Sequence, residues 1–331
     1  MSFKRVLSQP HVVHQFQSAL SRGRLAHAYV FYGPEGVGKA LFARELSRAL
    51  LCERGDEDAC DVCKQCQAVD AGDNPDLLWV TPEYKVITIG AIQELERLAT
   101  RKKLRRRVFV IEEAEKMNQE ASNCLLKTLE EPPPRVVILL VTTSLMRLPR
   151  TIVSRCQAVR FHPLETDVLK RLIAENFGVE GDGLKWLTAA SCGSMGWATR
   201  LINEEAVTRR QRLLERLSSL SLEDNFSISQ EVLDWCPYTE EGGLEGRRSR
   251  LRIWMYIMLE YYRDMLLCKV GAGEIGLFND DAQDIIGAKA SRLSVGVITN
   301  IMEEIQYSLD GLQRNANINL LVENLFSRIA R

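Results

Sequence analysis

The sequence predicts an α/β domain built on a parallel sheet with flanking helices, followed by an all-helical region. Short, fully apolar, β-branched segments at residues 108–111 and 136–141 alternate with helical patterns in the first half of the chain. Such segments are typical of parallel strands that helices cover on both faces. After Phe161 the strand patterns stop, and helical patterns with polar breaks continue to the end.

Each element of the first half has its own signal. Val12, Phe16 and Leu20 recur at helical spacing, and a helix near residue 130 is stopped by three consecutive prolines. An apolar strand before Gly33 runs directly into a glycine-rich turn and then a helix. The predicted strands cover residues 28–32, 77–80, 86–89, 108–111 and 136–141, and the predicted helices cover 11–21, 40–51, 92–98 and 121–130.

Composition is that of an ordinary globular protein. The 331 residues are 46% hydrophobic and 26% charged, and the formal net charge is -1. Without global basicity, any contact with nucleic acid must come from a local patch. The longest apolar run, residues 253–259, is far shorter than the roughly 18 residues of a membrane span. No signal-peptide pattern occurs at the beginning, so we expect a soluble, cytoplasmic protein with no membrane partner.

The glycine-rich turn at residues 33–39 reads Gly-Pro-Glu-Gly-Val-Gly-Lys and matches G-x-x-x-x-G-K. It lies between a predicted strand and a predicted helix, which is the context that a phosphate-binding loop requires. Glycines let backbone N–H groups turn toward phosphate oxygens, and the lysine reaches the β and γ phosphates. The alternative is a glycine-rich turn with a chance lysine. The candidate residues are Gly33, Gly36, Gly38 and Lys39.

Two departures weaken this candidate nucleotide site. Ala40 stands where the motif has a serine or threonine that ligates Mg²⁺. The strand at 108–111 ends in Glu112-Glu113 rather than Asp-Glu, and Mg²⁺ demands near-ideal geometry. We therefore expect a loop that binds ATP or ADP weakly, holds Mg²⁺ poorly and hydrolyses little. In the alternative, water replaces the lost hydroxyl and activity survives.

Four of the nine cysteines, Cys52, Cys60, Cys63 and Cys66, lie close together in the sequence. Two C-x₂-C steps give tight turns that bring thiolates together, and four thiolates complete a tetrahedral zinc site. Because no position stays open, the predicted Zn²⁺ is structural. The alternative is a set of unbound reduced thiols.

Several segments together resemble the clamp-loader family of bacterial DNA polymerase III, and its delta-prime members in particular. The resemblance covers Ser8 to about Leu164 best. A weaker match lies in the tail at 314–320. The segments that carry it are residues 24–29 (RLAHAY), the four-cysteine insertion, 74–77 (NPDL) with 87–89 (ITI), 124–133 (CLLKTLEEPP) and Ser154-Arg155-Cys156.

This resemblance implies an AAA+ module in which Arg155 serves as an arginine finger in the ATP site of a neighbouring subunit. It places Thr142 or Thr143 at the sensor 1 position. The sensor 2 arginine would fall at Gly196, and Arg200 lies one turn further on. The implied domains are an AAA+ P-loop domain at 1–163 with the zinc insertion at 52–66, a small helical lid at 164–207, and a helical collar for oligomerisation at 208–331.

The implied function is a delta-prime-like subunit of an ATP-driven complex that opens the sliding clamp and loads it on primer–template DNA. Its partners would be motor (gamma/tau-like) and delta-like subunits in a hetero-oligomer, the clamp and the DNA. Two alternatives are an ATP-hydrolysing motor subunit and a non-catalytic AAA+ scaffold. A basic run at 101–107 favours a solvated loop, with contact to DNA phosphates as the alternative.

Overall fold

A computed structural model describes residues 2–7, 9–54, 58–83, 85–100, 106–240 and 242–330. The chain divides into two compact units. One comprises Met1–Leu169 with Cys192–Gly196, and the other comprises Lys170–Ser191 with Trp197–Arg331. The three-domain division at 163 and 207 stays a prediction.

The first unit is built on a five-stranded, fully parallel sheet. The strand order is β2-β3-β4-β1-β5, so β1 lies inside the sheet between β4 and β5. In sheets of this kind, ligands bind beyond the carboxyl ends of the strands. The strands are β1 (Ala28–Tyr32), β2 (Leu77–Val80), β3 (Arg107–Ile111), β4 (Val136–Thr142) and β5 (Gln157–Arg160).

Helices cover both faces of this sheet. On one face Phe16, Tyr29, Phe31, Phe42 and Phe161 form an aromatic cluster with ring centroids 4.8 to 6.3 Å apart. An aliphatic core fills the other face. The helices are α1 (Pro10–Ser21), α2 (Lys39–Leu51), α3 (Lys64–Ala71), α4 (Ile89–Ala99), α5 (Gln119–Glu130) and α6 (Arg150–Val153).

The second unit is helical throughout its described part. Its longest helix, α12, buries Trp254, Tyr261 and Tyr262. No described helix of the chain is both long enough and apolar enough to cross a membrane. The helices of this region are α7 (Thr166–Phe177), α8 (Gly181–Ala190), α9 (Met195–Asn203), α10 (Ala206–Ser218), α11 (Asn225–Asp234), α12 (Gly243–Lys269), α13 (Gln283–Arg292), α14 (Val295–Gln313) and α15 (Ile318–Ile329).

The predicted fold class, a parallel sheet with flanking helices followed by helices alone, is confirmed. The strand expected at 86–89 is wrong, because Val86 and Ile87 form only isolated bridges and α4 begins at Ile89. The edge strand β5 and helix α3 were not predicted. Strand β5 lacks an apolar run because only Val159 is buried. Within the basic run, residues 101–105 lie outside the described residues, and Arg107 is buried beside Asp76.

Candidate functional sites

The phosphate-loop candidate lies at the carboxyl end of β1, where the chain turns into α2. Gly33 and Gly36 have φ values of 146° and 74°. A Cβ atom on Gly33 would lie 2.2 Å from the carbonyl oxygen of Phe161, so only glycine fits there. Gly38, with φ 97°, precedes the first turn of α2. The loop therefore has the backbone of an anion-binding turn at a helix N-terminus.

Lys39 lies inside its own loop. The side chain is buried, and Nζ donates to the carbonyl oxygens of Gly33, at 2.7 Å, and of Pro34. Burial lowers the pKa of Lys39, and the carboxylates of Glu115, Glu35 and Glu112 act in the opposite direction. The ammonium group thus satisfies loop carbonyls that face inward.

Glu112, the first candidate Mg²⁺-site carboxylate, follows β3 and is engaged elsewhere. The indole Nε1 of Trp79 donates to its Oε2 at 3.0 Å. The guanidinium of Arg44 lies 5.7 Å from the centre of the Trp79 ring. One oxygen of Glu112 is therefore held toward β2. Ala40, in the first turn of α2, has no side-chain oxygen to offer a metal.

Glu113, the second candidate, turns away from the loop. Its backbone is left-handed with φ 50°, and its carboxylate pairs with Lys116 at 2.6 Å. Glu115 takes the buried position instead, with a side chain only 10% exposed. Glu115 is not among the residues predicted from the sequence, although the Glu-Glu-Ala-Glu spacing after a buried strand could have pointed to it.

Glu115 joins the end of β3 to the end of β4. Its Oε1 accepts from Thr143 Oγ1 at 2.9 Å and from the Thr143 N–H at 3.3 Å. Burial acts to raise the pKa of Glu115, but hydrogen bonds from its own backbone and from Thr142 and Thr143 hold it below its usual value. Oε2 is buried without a hydrogen-bond partner among the described residues. Both sensor 1 candidates thus contact Glu115.

Gly196, where the resemblance would place a sensor 2 arginine, lies against the phosphate loop. The N–H of Gly196 donates to the Gly36 carbonyl at 3.1 Å. A Cβ atom on Gly196 would lie 2.8 Å from the Cα of Gly36. Any side chain at 196 would therefore collide with the phosphate loop. Arg200 lies on α9 in the other unit.

Arg155 lies just after α6 with a third of its side chain exposed. Nη2 donates to Glu130 Oε1 at 2.6 Å, and Nη1 donates to the Thr151 carbonyl at 2.9 Å. Both contacts come from the same unit. The guanidinium is therefore oriented at the surface, where a neighbouring chain can reach it.

The four cysteines of the insertion come together, as predicted. Their sulfur atoms all lie within 4.8 Å of one another, and tetrahedral Zn–S bonds of about 2.3 Å place sulfurs about 3.8 Å apart. Burial acts to raise the pKa of Cys63, but N–H groups of Glu53 and Cys66 outweigh it and the pKa falls to about 6. Burial raises the pKa of Cys66 to about 12, so the thiols differ in how readily they form the thiolate that binds metal. The fit to a closed, four-sulfur site therefore rests on the distances between the sulfur atoms.

Comparisons with known proteins identify the family of the chain. Two family models, described as DNA polymerase III, delta subunit, and its C-terminal part, match residues 8–165 and 204–330. The Bacillus subtilis protein named DNA polymerase III subunit delta' is 28% identical over 321 residues, which is 96% of this chain and 94% of that protein. This chain belongs to the delta-prime family of DNA polymerase III subunits. The resemblance stated from sequence is confirmed.

Other relatives of this delta-prime family member carry the name tau. B. subtilis DNA polymerase III subunit tau is 30% identical over 297 residues, covering 83% of this chain and 52% of tau. The chain thus spans about half of that longer relative. Among solved structures, a Thermotoga maritima gamma subunit-related protein of DNA polymerase III gives a TM-score of 0.47 at 21% identity, covering 97% of this chain and 98% of that one.

Proposed function

We propose that this delta-prime family member is a fixed clamp-loader subunit that completes a neighbour's ATP site with Arg155 while its own loop hydrolyses little or no ATP. The proposal rests on the contrast between Arg155, which lies at the surface, and the residues of the chain's own loop, which are bound to other groups of the chain. Arg155 is exposed and oriented, whereas Lys39 is buried on loop carbonyls and Glu113 points to Lys116.

The chemistry of the neighbour's site would need a cation from outside. Charge spreads over the γ-phosphoryl oxygens in the transition state of phosphoryl transfer, and a guanidinium in trans stabilises that charge. In related transfer enzymes this contribution amounts to roughly 10³–10⁵ in rate. Arg155 would supply it to a nucleotide that is held in the neighbour's own phosphate loop.

The chain's own loop would bind ATP or ADP weakly. Its backbone matches an anion-binding turn, but Ala40 offers no Mg²⁺ ligand and Trp79 holds Glu112. When present, a magnesium ion supplies charge neutralisation between the phosphates. Glu115, Glu35 and Glu112 all act electrostatically on Lys39, and of these Glu112 and Glu115 are the two carboxylates that follow strand β3.

Zinc would be a structural component of the insertion. Cys52, Cys60, Cys63 and Cys66 would hold it with all four positions filled, which leaves no open position for catalysis. Zinc contributes free energy of folding at such sites.

The partners would be gamma/tau-like motor subunits and a delta-like subunit in a hetero-oligomer, with the sliding clamp and primer–template DNA. Support comes from the delta' and tau names of the relatives. Replication takes place in the bacterial cytoplasm, so we place the chain there.

The test is steady-state ATPase activity of the purified chain alone and in a complex reconstituted with its motor and delta-like subunits, clamp and primed DNA. We expect a silent isolated chain, and a complex in which Arg155→Ala removes turnover at the one site that this arginine serves. Arg150→Ala, at an exposed arginine that begins α6, is the matched control. Gel filtration checks that each complex assembles.

The other outcomes identify the alternatives. Robust turnover by the isolated chain, lost on Lys39→Ala, would indicate a motor subunit of the gamma/tau type. Unchanged turnover of the assembled Arg155→Ala complex would indicate a non-catalytic scaffold. Either result overturns the proposal.

A further inference from the structure

Arg48 is a fully buried arginine beside the cysteine insertion. It lies on α2, the helix that follows the phosphate loop, and its side chain is 0% exposed. Nη1 contacts Glu45 Oε2 at 2.9 Å, and Nη2 contacts Asp61 Oδ1 at 2.6 Å and Asp70 Oδ2 at 3.1 Å. Arginine is almost never buried unless it is paired, so these contacts are what keeps the side chain inside.

The three carboxylates come from three different parts of the chain. Glu45 belongs to α2 itself, Asp61 lies between Cys60 and Cys63, and Asp70 lies in the last turn of α3. One guanidinium therefore ties α2 to the cysteine loop and to the helix that follows it. Cys52 is the C-cap of α2, so the fourth sulfur is anchored to the same helix.

Few apolar residues of the described part of this loop pack around the cysteines. Apart from the cysteines, Ala59 is the one residue in its small described core cluster. Cys63 caps α3 by accepting the Cys66 N–H at 3.4 Å. Without an extensive apolar core, the arrangement of the sulfurs depends on polar contacts, and those of Arg48 are the most buried of them.

We propose that Arg48 is a positioning residue for the four-cysteine site, which it preorganises by holding Asp61 and Asp70 against α2 so that the sulfurs are gathered before zinc arrives. The inference rests on the proposed zinc site and adds the residue that sets its affinity. Partners beyond the ligands themselves typically change metal affinity by about 10- to 100-fold when they are lost. Preorganisation raises affinity because less ordering remains for the binding step.

Preorganisation and simple electrostatics predict opposite signs for one substitution. Asp61 is negatively charged and lies between two of the cysteines in the sequence. Removing its charge alone would favour the thiolate over the thiol form of the cysteines and would raise the affinity for zinc. Loosening the contact with Arg48 frees the loop and lowers the affinity for zinc. Asp61→Asn keeps the backbone of this position, because Asp61 is left-handed with φ 64° and asparagine accepts that conformation well. It also removes the attraction of Asp61 for Arg5.

The experiment measures zinc(II) affinity of the full chain by competition with a chromophoric chelator, and amide hydrogen exchange of residues 58–66 in chelator alone. Asp73→Asn is the matched control, since Asp73 is exposed and follows α3, the helix that contains Asp70. We expect Asp61→Asn to bind zinc about 10-fold more weakly than Asp73→Asn, with faster exchange at Cys66 in the metal-free chain. Arg48→Met should lower the affinity for zinc further.

The outcomes separate this inference from the metal site itself. If wild type binds zinc and Asp61→Asn binds it equally or more tightly than Asp73→Asn, Arg48 does not preorganise the site, whatever Arg48→Met does to folding. If wild type binds no zinc, the proposed metal site falls and this inference with it. Weaker zinc and faster metal-free exchange in Asp61→Asn, with an unchanged control, support the inference.

Discussion

The guanidinium of Arg155 is held by the carboxylate of Glu130 at 2.6 Å, within one unit of the chain. Glu130 is the last residue of α5, and the negative end of a helix dipole favours a cation there. The Thr151 carbonyl fixes a second nitrogen at 2.9 Å. The direction of Arg155 is thus set by this chain before a neighbour docks.

Glu130→Gln should lower ATP turnover of the assembled complex by about two- to fivefold. The size follows from the value of an exposed ion pair, about 0–1 kcal/mol, and it is far below the loss that Arg155→Ala should cause. Steady-state ATPase assays of reconstituted complexes measure it, with Glu131→Gln as the control at the next exposed carboxylate. Equal or higher turnover in Glu130→Gln would mean that the carboxylate does not position Arg155 for the proposed role.

Gly196→Ala should lower the free energy of unfolding by about 1–3 kcal/mol, the usual range for an overpacked site. The added Cβ would lie 2.8 Å from the Cα of Gly36, so the two segments must separate. Gly287→Ala, inside helix α13 with open space around it, should be neutral or slightly stabilising. Denaturant unfolding measures both, and equal stability of the two variants would contradict the packing argument.

The parallel sheet could be predicted because its inner strands are buried on both faces. Strands β3 and β4 are buried at every position, and such runs stand out in a sequence. Strand β5 did not, because Gln157, Ala158 and Arg160 are exposed at the sheet edge. Its pairing with β1 depends on backbone hydrogen bonds, which leave no residue pattern.

The candidate site could be predicted where a sequence motif determines the backbone conformation. It could not be predicted where side chains contact residues that are distant in the sequence. The loop glycines and the cysteine cluster follow from spacing alone. The exchange of roles between Glu113 and Glu115 cannot be read from spacing. It depends on a left-handed residue after β3 and on Thr143, which follows another strand. The clash that excludes an arginine at Gly196 likewise joins residues far apart in the sequence.

Ala40→Ser should not restore ATP hydrolysis to the isolated chain. A hydroxyl at this position returns one Mg²⁺ ligand, but Glu113 still pairs with Lys116 and Trp79 still holds Glu112. A Mg²⁺-dependent ATPase assay of the purified variant tests this. The double variant Ala40→Ser with Lys39→Ala serves as the background. Turnover above that background would show that the missing hydroxyl alone disables the loop.

Glu115→Gln should destabilise the chain near pH 7, and the difference from wild type should shrink as the pH falls. Because the folded-state pKa of Glu115 is lowered, its charge adds stability above the unfolded-state pKa of about 4.3. That stability is lost as pH falls through the lower folded-state pKa. Hydrogen bonds to a charged group typically stabilise a protein by about 1.5–3 kcal/mol. The glutamine amide of the variant can still accept hydrogen bonds, so we expect a loss smaller than this.

Unfolding free energies of wild type and Glu115→Gln at pH 7, 5, 4 and 3 measure the effect, and other titrating groups cancel in the difference. Glu113→Gln is the control, because that carboxylate is half exposed and pairs only with Lys116 among the contacts described for it. A destabilisation by Glu115→Gln that stays constant from pH 7 to pH 3 would show that shape, rather than charge, decides what Glu115 does between β3 and β4. A gap that narrows between pH 5 and pH 3 would show that the charge of Glu115, held by hydrogen bonds from Thr142 and Thr143, is what stabilises the fold at this point.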